Sequence, residues 1–98
     1  MYNRCVKFEW DPGESARNEA KHGIDFLSAQ DLWDDENRIE IHAPHPLEDR
    51  GILIARYHEK IRAAVYTLRG GAIRMISVRR ARKKEVNLYE KENASQNQ

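Results

Sequence analysis

Hydrophobic and polar positions alternate at the start of the chain. Val6, Phe8 and Trp10 are apolar and Lys7 and Glu9 charged, the period-2 signature of a half-buried strand. Asp11-Pro12-Gly13-Glu14 then marks a helix start. Asp11 is the predicted N-cap, Pro12 takes the first helical position, and Glu14 is the reciprocal partner of a capping box. The helix is predicted to run to His22 and stop at Gly23, a residue suited to the left-handed position after a helix. Asp25 caps a second predicted helix with Phe26, Ala29 and Trp33 on one face, and Asp31, Asp34, Asp35 and Glu36 form its acidic exit.

Strand-like runs follow. Ile39, Ile41 and Ala43 alternate with Arg38, Glu40 and His42 until Pro44 and Pro46 break the pattern. The runs 52–58 and 61–68 are separated by Glu59-Lys60, which suits a tight antiparallel hairpin. Gly70-Gly71 is a second hairpin signal and leads into 72–78, apolar at Ile73, Met75, Ile76 and Val78 and therefore expected inside the sheet. A helical pattern from Arg82 to Lys91 closes the domain, and the polar segment 93–98 is expected to be a disordered tail. The order β-α-α-β-β-β-β-α argues for an α+β domain over 1–92. Two N-terminal helices and a C-terminal helix would pack on a mainly antiparallel sheet of four to five strands.

Composition narrows the class. Ninety-eight residues, 40% apolar and 34% charged, make one globular domain with a stability on the order of 5–10 kcal/mol. No apolar run approaches the roughly 18 residues that span a bilayer, and 1–10 carries no apolar core of an export signal. The lone Cys5 cannot form an internal disulfide, which fits a reducing cytoplasm. Net charge is only +1, but its distribution is lopsided. Seven of the seventeen basic residues fall in 69–84 with no acid among them, leaving ten against sixteen acids elsewhere. Such local fields attract anionic partners even when the total cancels.

Several constellations could use that charge. The basic run can neutralise phosphates, with Arg forks gripping two oxygens each. Equally, it could be a solvated helix start or a dock for an acidic protein. On an unbroken strand Ser77 and Arg79 would share one face, and Arg74 and Arg80 the other. Lys21 and His22 end the first helix, where the macrodipole favours positive charge; they suit a phosphate or proton transfer, or serve only as helix-end charges. Arg56 interrupts the apolar run Ile52-Leu53-Ile54-Ala55-Arg56-Tyr57. A charge there is costly unless paired or opening onto a groove, and a solvent-pointing strand end is the competing explanation. His42 with His45, and Cys5 with His58, complete no metal-ligand pattern, so no cofactor is expected. No phosphate-binding glycine loop or nucleophile motif is present.

Two blocks resemble the BrnT toxins of bacterial type II toxin–antitoxin systems. One is Phe8-Glu9-Trp10-Asp11-Pro12, Asn18, Lys21-His22-Gly23-Ile24-Asp25-Phe26 and Ala29. The other, more specific, is Tyr66-Thr67, Arg69-Gly70, Ile73-Arg74-Met75-Ile76-Ser77-Val78-Arg79-Arg80-Ala81 and Lys84-Glu85. The chain departs from the pattern at Glu14, where Lys is common, and at Ala55, where a Gly usually precedes the arginine. The resemblance implies a RelE-like fold and a ribonuclease that arrests translation. It also implies a BrnA-like ribbon-helix-helix antitoxin, a heterotetramer or larger complex with it, and operator DNA reached only through it.

Carried onto this chain, the family's catalytic positions fall on Arg56 and Arg79, with Lys21 and His22 contributing. Arg74, Arg80, Arg82, Lys83 and Lys84 are then the expected RNA contacts. The chemistry is coherent without a metal, because RNA supplies its own 2′-OH nucleophile. The enzyme must hold the phosphate in line, place cations where charge accumulates and move protons. A guanidinium keeps its proton and cannot act as base, so His22 is the titrating candidate. The rival expectation is a non-catalytic basic module that acts in an autorepressor complex with a DNA-binding partner.

Overall fold

The computed structural model describes residues 6–96. Cys5 and its expected lack of a disulfide partner lie outside them. Among the described residues the chain forms β1 (Lys7–Glu9), α1 (Pro12–His22), α2 (Phe26–Ala29), a 3-10 turn (Gln30–Asp34), β2 (Ile39–Ala43), β3 (Arg50–Tyr57), β4 (Lys60–Arg69), β5 (Ala72–Arg80) and α3 (Lys83–Gln96). The strands form one sheet in the order β1-β5-β4-β3-β2. The fold is therefore α+β, with three α-helices on a five-stranded sheet.

Four features differ from the sequence expectation. The second N-terminal helix is a single four-residue turn that tightens into 3-10 geometry, so α1 alone is a full helix on that side. Ala29, Leu32 and Trp33 stay buried through the change, which explains why the apolar spacing looked like one longer helix. Second, the sheet is mixed: β2–β3, β3–β4 and β4–β5 pair antiparallel, while β1 pairs parallel with β5. Third, the β3–β4 turn is His58-Glu59, one residue earlier than predicted, with Tyr57 opposite Lys60. His58 takes the positive φ the turn requires, 57°. Fourth, α3 continues past Lys91 to Gln96, and the Asn93 amide donates to the carbonyls of Asn37 and Tyr89.

The cap and glycine-turn signals hold, but among the described residues the Glu14 side chain makes no reciprocal bond to the Asp11 N–H, so only half of the capping box forms. Asp11 accepts from the Glu14 N–H at 3.2 Å, and Gly23 ends α1 at φ 77°. Asp25 accepts from the Ser28 N–H at 2.8 Å. Gly70 and Gly71 both have positive φ, 58° and 83°, as a two-residue primed hairpin turn demands.

Two cores sandwich the sheet. On the first face, α1, α2 and the 3-10 turn bring Ile24, Phe26, Leu32 and Trp33 onto Leu53, Ala55, Ala64, Tyr66, Ile73, Met75 and Val78. On the second, α3 sets Val86, Leu88 and Tyr89 against Ile39, Ile41, Ile52, Ile54 and Ile61. The first face is pinned by Asn18. Its buried amide donates to the carbonyls of Ile24 (2.8 Å) and Val78 (2.9 Å), and its oxygen accepts from the Val78 N–H (3.0 Å). That one side chain ties α1 to β5 immediately before Arg79.

Candidate nucleic-acid interface

A register shift in β5 decides which cations share a face. Val65 pairs with Ser77 but Tyr66 pairs with Met75, so Ile76 is an extra residue, a β-bulge that reverses the alternation beyond it. Arg74, Ser77 and Arg79 lie opposite Thr67, Val65 and Ala63 and therefore share the α3 face. Arg80, opposite Arg62, points to the α1 face. The expectation that Arg74 and Arg80 share a face is overturned by this bulge; Ser77 and Arg79 do share theirs.

Arg79 is already engaged on the α3 face. Its guanidinium donates two bonds to Glu85, at 2.8 and 2.9 Å, in a largely buried pair. Glu85 also accepts from the Arg82 N–H at 2.8 Å and so fixes the first turn of α3. The bonds from Arg79 hold the Glu85 carboxyl below its ordinary range, despite partial burial. Arg56 is exposed at the end of β3, its guanidinium 5.7 Å from the centre of the Tyr89 ring, a cation–π distance. Asp35 accepts from both the Arg56 N–H and the Tyr89 hydroxyl, each at 2.8 Å. Burial first, and then Asp35, push the Tyr89 hydroxyl upward, so it stays protonated at neutral pH. Glu85, Tyr89 and Asn93 recur every fourth residue along α3, and this polar stripe docks the helix over both arginines.

Arg56 and Arg79 are separated by two strand spacings and two residues along the strand, roughly 12 Å between backbones. Arg74 lies four residues further along β4's register from Arg79, roughly 13 Å. It is half-buried and sits beside Glu9 of β1. Arg50 occupies the same face at the start of β3. Between these cations Val65 and Ser77 remain half-exposed, because α3 packs toward β2 and β3.

Lys21 and His22 lie on the other side of the sheet, at the end of α1. There Arg62, only 8% exposed, donates to the His22 carbonyl at 3.0 Å, capping the helix C-terminus. Arg80 projects from the adjacent strand and is exposed, as are Arg82, Lys83 and Lys84 beyond it. The four expected catalytic residues thus form two pairs divided by the sheet, Arg56 with Arg79 and Lys21 with His22. Both pairs sit toward the same end of the molecule, where β5 and α1 terminate. A cleft of about 260 Å³ opens there, bordered by Arg56, Lys60 and Arg80 with Glu59 and Glu90. At the opposite end of β3 and β4, a cleft of about 450 Å³ is lined by Glu40, Glu48 and Asp49 together with His42 and Arg50, a mixed environment with more acids than cations.

Sequence reasoning missed Arg50, Arg62, Tyr89, Asp35 and the partner of Arg79. Arg62 had a readable signal, since it interrupts Ile61-Arg62-Ala63-Ala64 much as Arg56 interrupts its own run. Of the two, Arg62 is the buried one. Among the described residues no group of three His, Cys, Asp or Glu side chains is placed to hold a metal ion, and no helix is long and apolar enough to cross a membrane.

Comparison with known proteins bears on what this interface serves. No curated protein matches the chain. A family model described as "Ribonuclease toxin, BrnT, of type II toxin-antitoxin system" matches residues 10–85. That span runs from Trp10 through α1 and the whole β2–β5 sheet to Glu85, the ion-pair partner of Arg79. The chain belongs to the BrnT family of ribonuclease toxins of type II toxin–antitoxin systems.

Proposed function

We propose that the protein is a metal-independent endoribonuclease with a RelE-like fold that arrests translation in the cytoplasm. A BrnA-like ribbon-helix-helix antitoxin neutralises it in a heterotetramer or larger complex, and that complex reaches operator DNA through the antitoxin. The observation that carries the catalytic reading is the alignment of Arg56, Arg74 and Arg79 on one half-open sheet face in a chain of this family.

RNA laid across that face meets cations at both ends and a small polar floor at Ser77. Arg79 stabilises the non-bridging oxygens as the 2′-oxygen attacks, and Arg56 stands toward the leaving group. Charge stabilisation of this kind, in a partly dehydrated site, is the largest single contribution a fixed cation makes. On this face both titratable groups are committed, the Tyr89 hydroxyl to Asp35 and the Glu85 carboxylate to Arg79, so the face offers charge stabilisation. Arg80, Arg82, Lys83 and Lys84 track the backbone outward from the face, and Lys21 and His22 act from the α1 side of the rim.

A second reading has its own support. Arg79 is neutralised by Glu85, to which it donates two bonds, as in a purely structural tie, and a basic module docking an acidic partner would look the same. Induced expression separates the two. Wild type should stop growth and cut RNA with EDTA present, and Arg79→Ala and Arg56→Ala should lose both effects while staying folded. Wild type that leaves growth and RNA intact would favour the binding module.

A further inference from the structure

We infer that the α1 side of the rim is a separate phosphate-binding subsite, built on Arg62 and Arg80, that holds the RNA backbone away from Arg79. The inference rests on the ribonuclease reading above, and it adds a residue that the sequence did not single out.

Arg62 sits directly opposite Arg80 in the β4–β5 register. Their β-carbons are roughly 5 Å apart, a separation at which like charges repel. Among the described residues no carboxylate pairs with either, nor with Lys21. Arg62 is more than nine-tenths buried, yet it makes one side-chain hydrogen bond, from one terminal nitrogen to the His22 carbonyl. Its Nε is buried without a partner. A buried guanidinium is normally satisfied on several donors, because leaving them unmade is costly. The vacant Nε edge is the one an arginine uses to grip an oxyanion in two places.

The surroundings select the ligand. Arg80 and Lys21 are exposed and bracket Arg62, and the C-terminal dipole of α1 favours the arginine but supplies no countercharge beyond half a unit. An incoming phosphodiester relieves the Arg62–Arg80 repulsion and takes up the free donors at once. Arg80 faces the α1 side and Arg79 the α3 side, so the two grip different phosphates, although Arg80 at the strand end also borders the cleft lined by Arg56. The subsite therefore holds a different phosphate of the same strand, passing over the end of β5, and fixes which linkage reaches Arg79.

The test uses the whole protein and a single-stranded RNA oligonucleotide with 2′-O-methyl groups, which cannot be cut. In 15N spectra the Arg62 Nε–H resonance should move on titration. Arg80→Gln and Lys21→Gln, both at exposed positions, should each bind about tenfold more weakly at 0.1 M salt, the size of one charge-assisted contact. Each should also flatten the logarithmic salt slope by about 0.7, one single-strand phosphate. Arg62→Gln removes the α1 cap, so its result is read only where its spectrum shows a folded protein. A wild type that binds and cleaves RNA while the Arg62 resonance stays still and both variants bind normally overturns the subsite alone. Variants that bind RNA normally but lose the antitoxin overturn it in favour of an acidic protein partner. A wild type that binds no RNA at low salt overturns this inference and the ribonuclease reading together.

Discussion

Replacing Asn18 should loosen the joint between the first helix and the sheet. Asn18→Ala deletes three hydrogen bonds of 2.8 to 3.0 Å and strands three buried backbone groups, the Ile24 carbonyl and both polar groups of Val78. At a net value near 1 kcal/mol per bond the loss is about 3 kcal/mol, and unsatisfied groups could raise it to roughly 5. For a domain stable by about 5–10 kcal/mol that is a large fraction. Urea unfolding should show it as a lower midpoint at unchanged slope. Asn18→Asp sharpens the reasoning. The introduced carboxyl would face two carbonyl oxygens in a buried site, so its folded pKa must lie above the unfolded value of about 3.9. A raised folded pKa gives relative stability that is full below pH 4 and is lost as pH rises through the folded value. Wild type and Asn18→Asp should thus differ least in acid and most at neutral pH. A loss below about 1 kcal/mol for Asn18→Ala, or a pH-independent gap for Asn18→Asp, would refute the three-bond account.

Three further outcomes follow from local geometry. His58→Gly should stabilise the protein by about 0.5–1 kcal/mol, because a positive φ costs an L-residue more than glycine loses in unfolded-state entropy; a thermal midpoint raised by roughly 3 °C checks it. Gly51→Ala should destabilise by about 1–3 kcal/mol, since its β-carbon would meet the Tyr66 ring at 2.5 Å where that ring reaches across to Glu40 and packs on Trp33. A neutral result in chemical denaturation would mean the ring moves freely. Glu85→Gln should cost roughly 1 kcal/mol at neutral pH, after discounting for solvent at the rim. Glu85's folded carboxyl is held low by Arg79, so its contribution exists above the ordinary value of 4.5 and disappears as pH falls through the folded one; the variant's acid unfolding limb should be correspondingly flatter.

Elements with local chemistry were legible. Asp11, Pro12 and Gly23 frame α1 because caps are decided within one turn, and Gly70-Gly71 marks its hairpin because only glycine adopts two successive positive φ values at little cost. The His58-Glu59 turn was misplaced by a residue for the complementary reason: histidine carries no turn signal, and the register of β3 against β4 imposes the strained conformation. The shortness of α2 was hidden because burial of Leu32 and Trp33 is compatible with either helix type. Nothing local could announce that β1 joins β5 in parallel. That pairing spans more than sixty residues and depends on the whole sheet being formed.

The site was less legible than the fold, and the β-bulge shows why. The density of charge in 69–84 is a one-dimensional property and could be counted, whereas the face on which each charge lands depends on parity along β5. One extra residue at Ile76 moves Arg79 and Ser77 to the face of Arg74 and sends Arg80 to the other. Parity also governs partners. Arg79 turned toward α3 meets Glu85, and Arg80 turned toward α1 meets Arg62, so adjacent residues receive opposite electrostatic fates. On the ribonuclease reading proposed above, the neutralised arginine exchanges a carboxylate for a phosphate before it stabilises a transition state, while Arg80 captures backbone from the start. Substrate held first at Arg80 would raise the local phosphate concentration beside the Arg79–Glu85 pair, the condition under which that exchange becomes favourable.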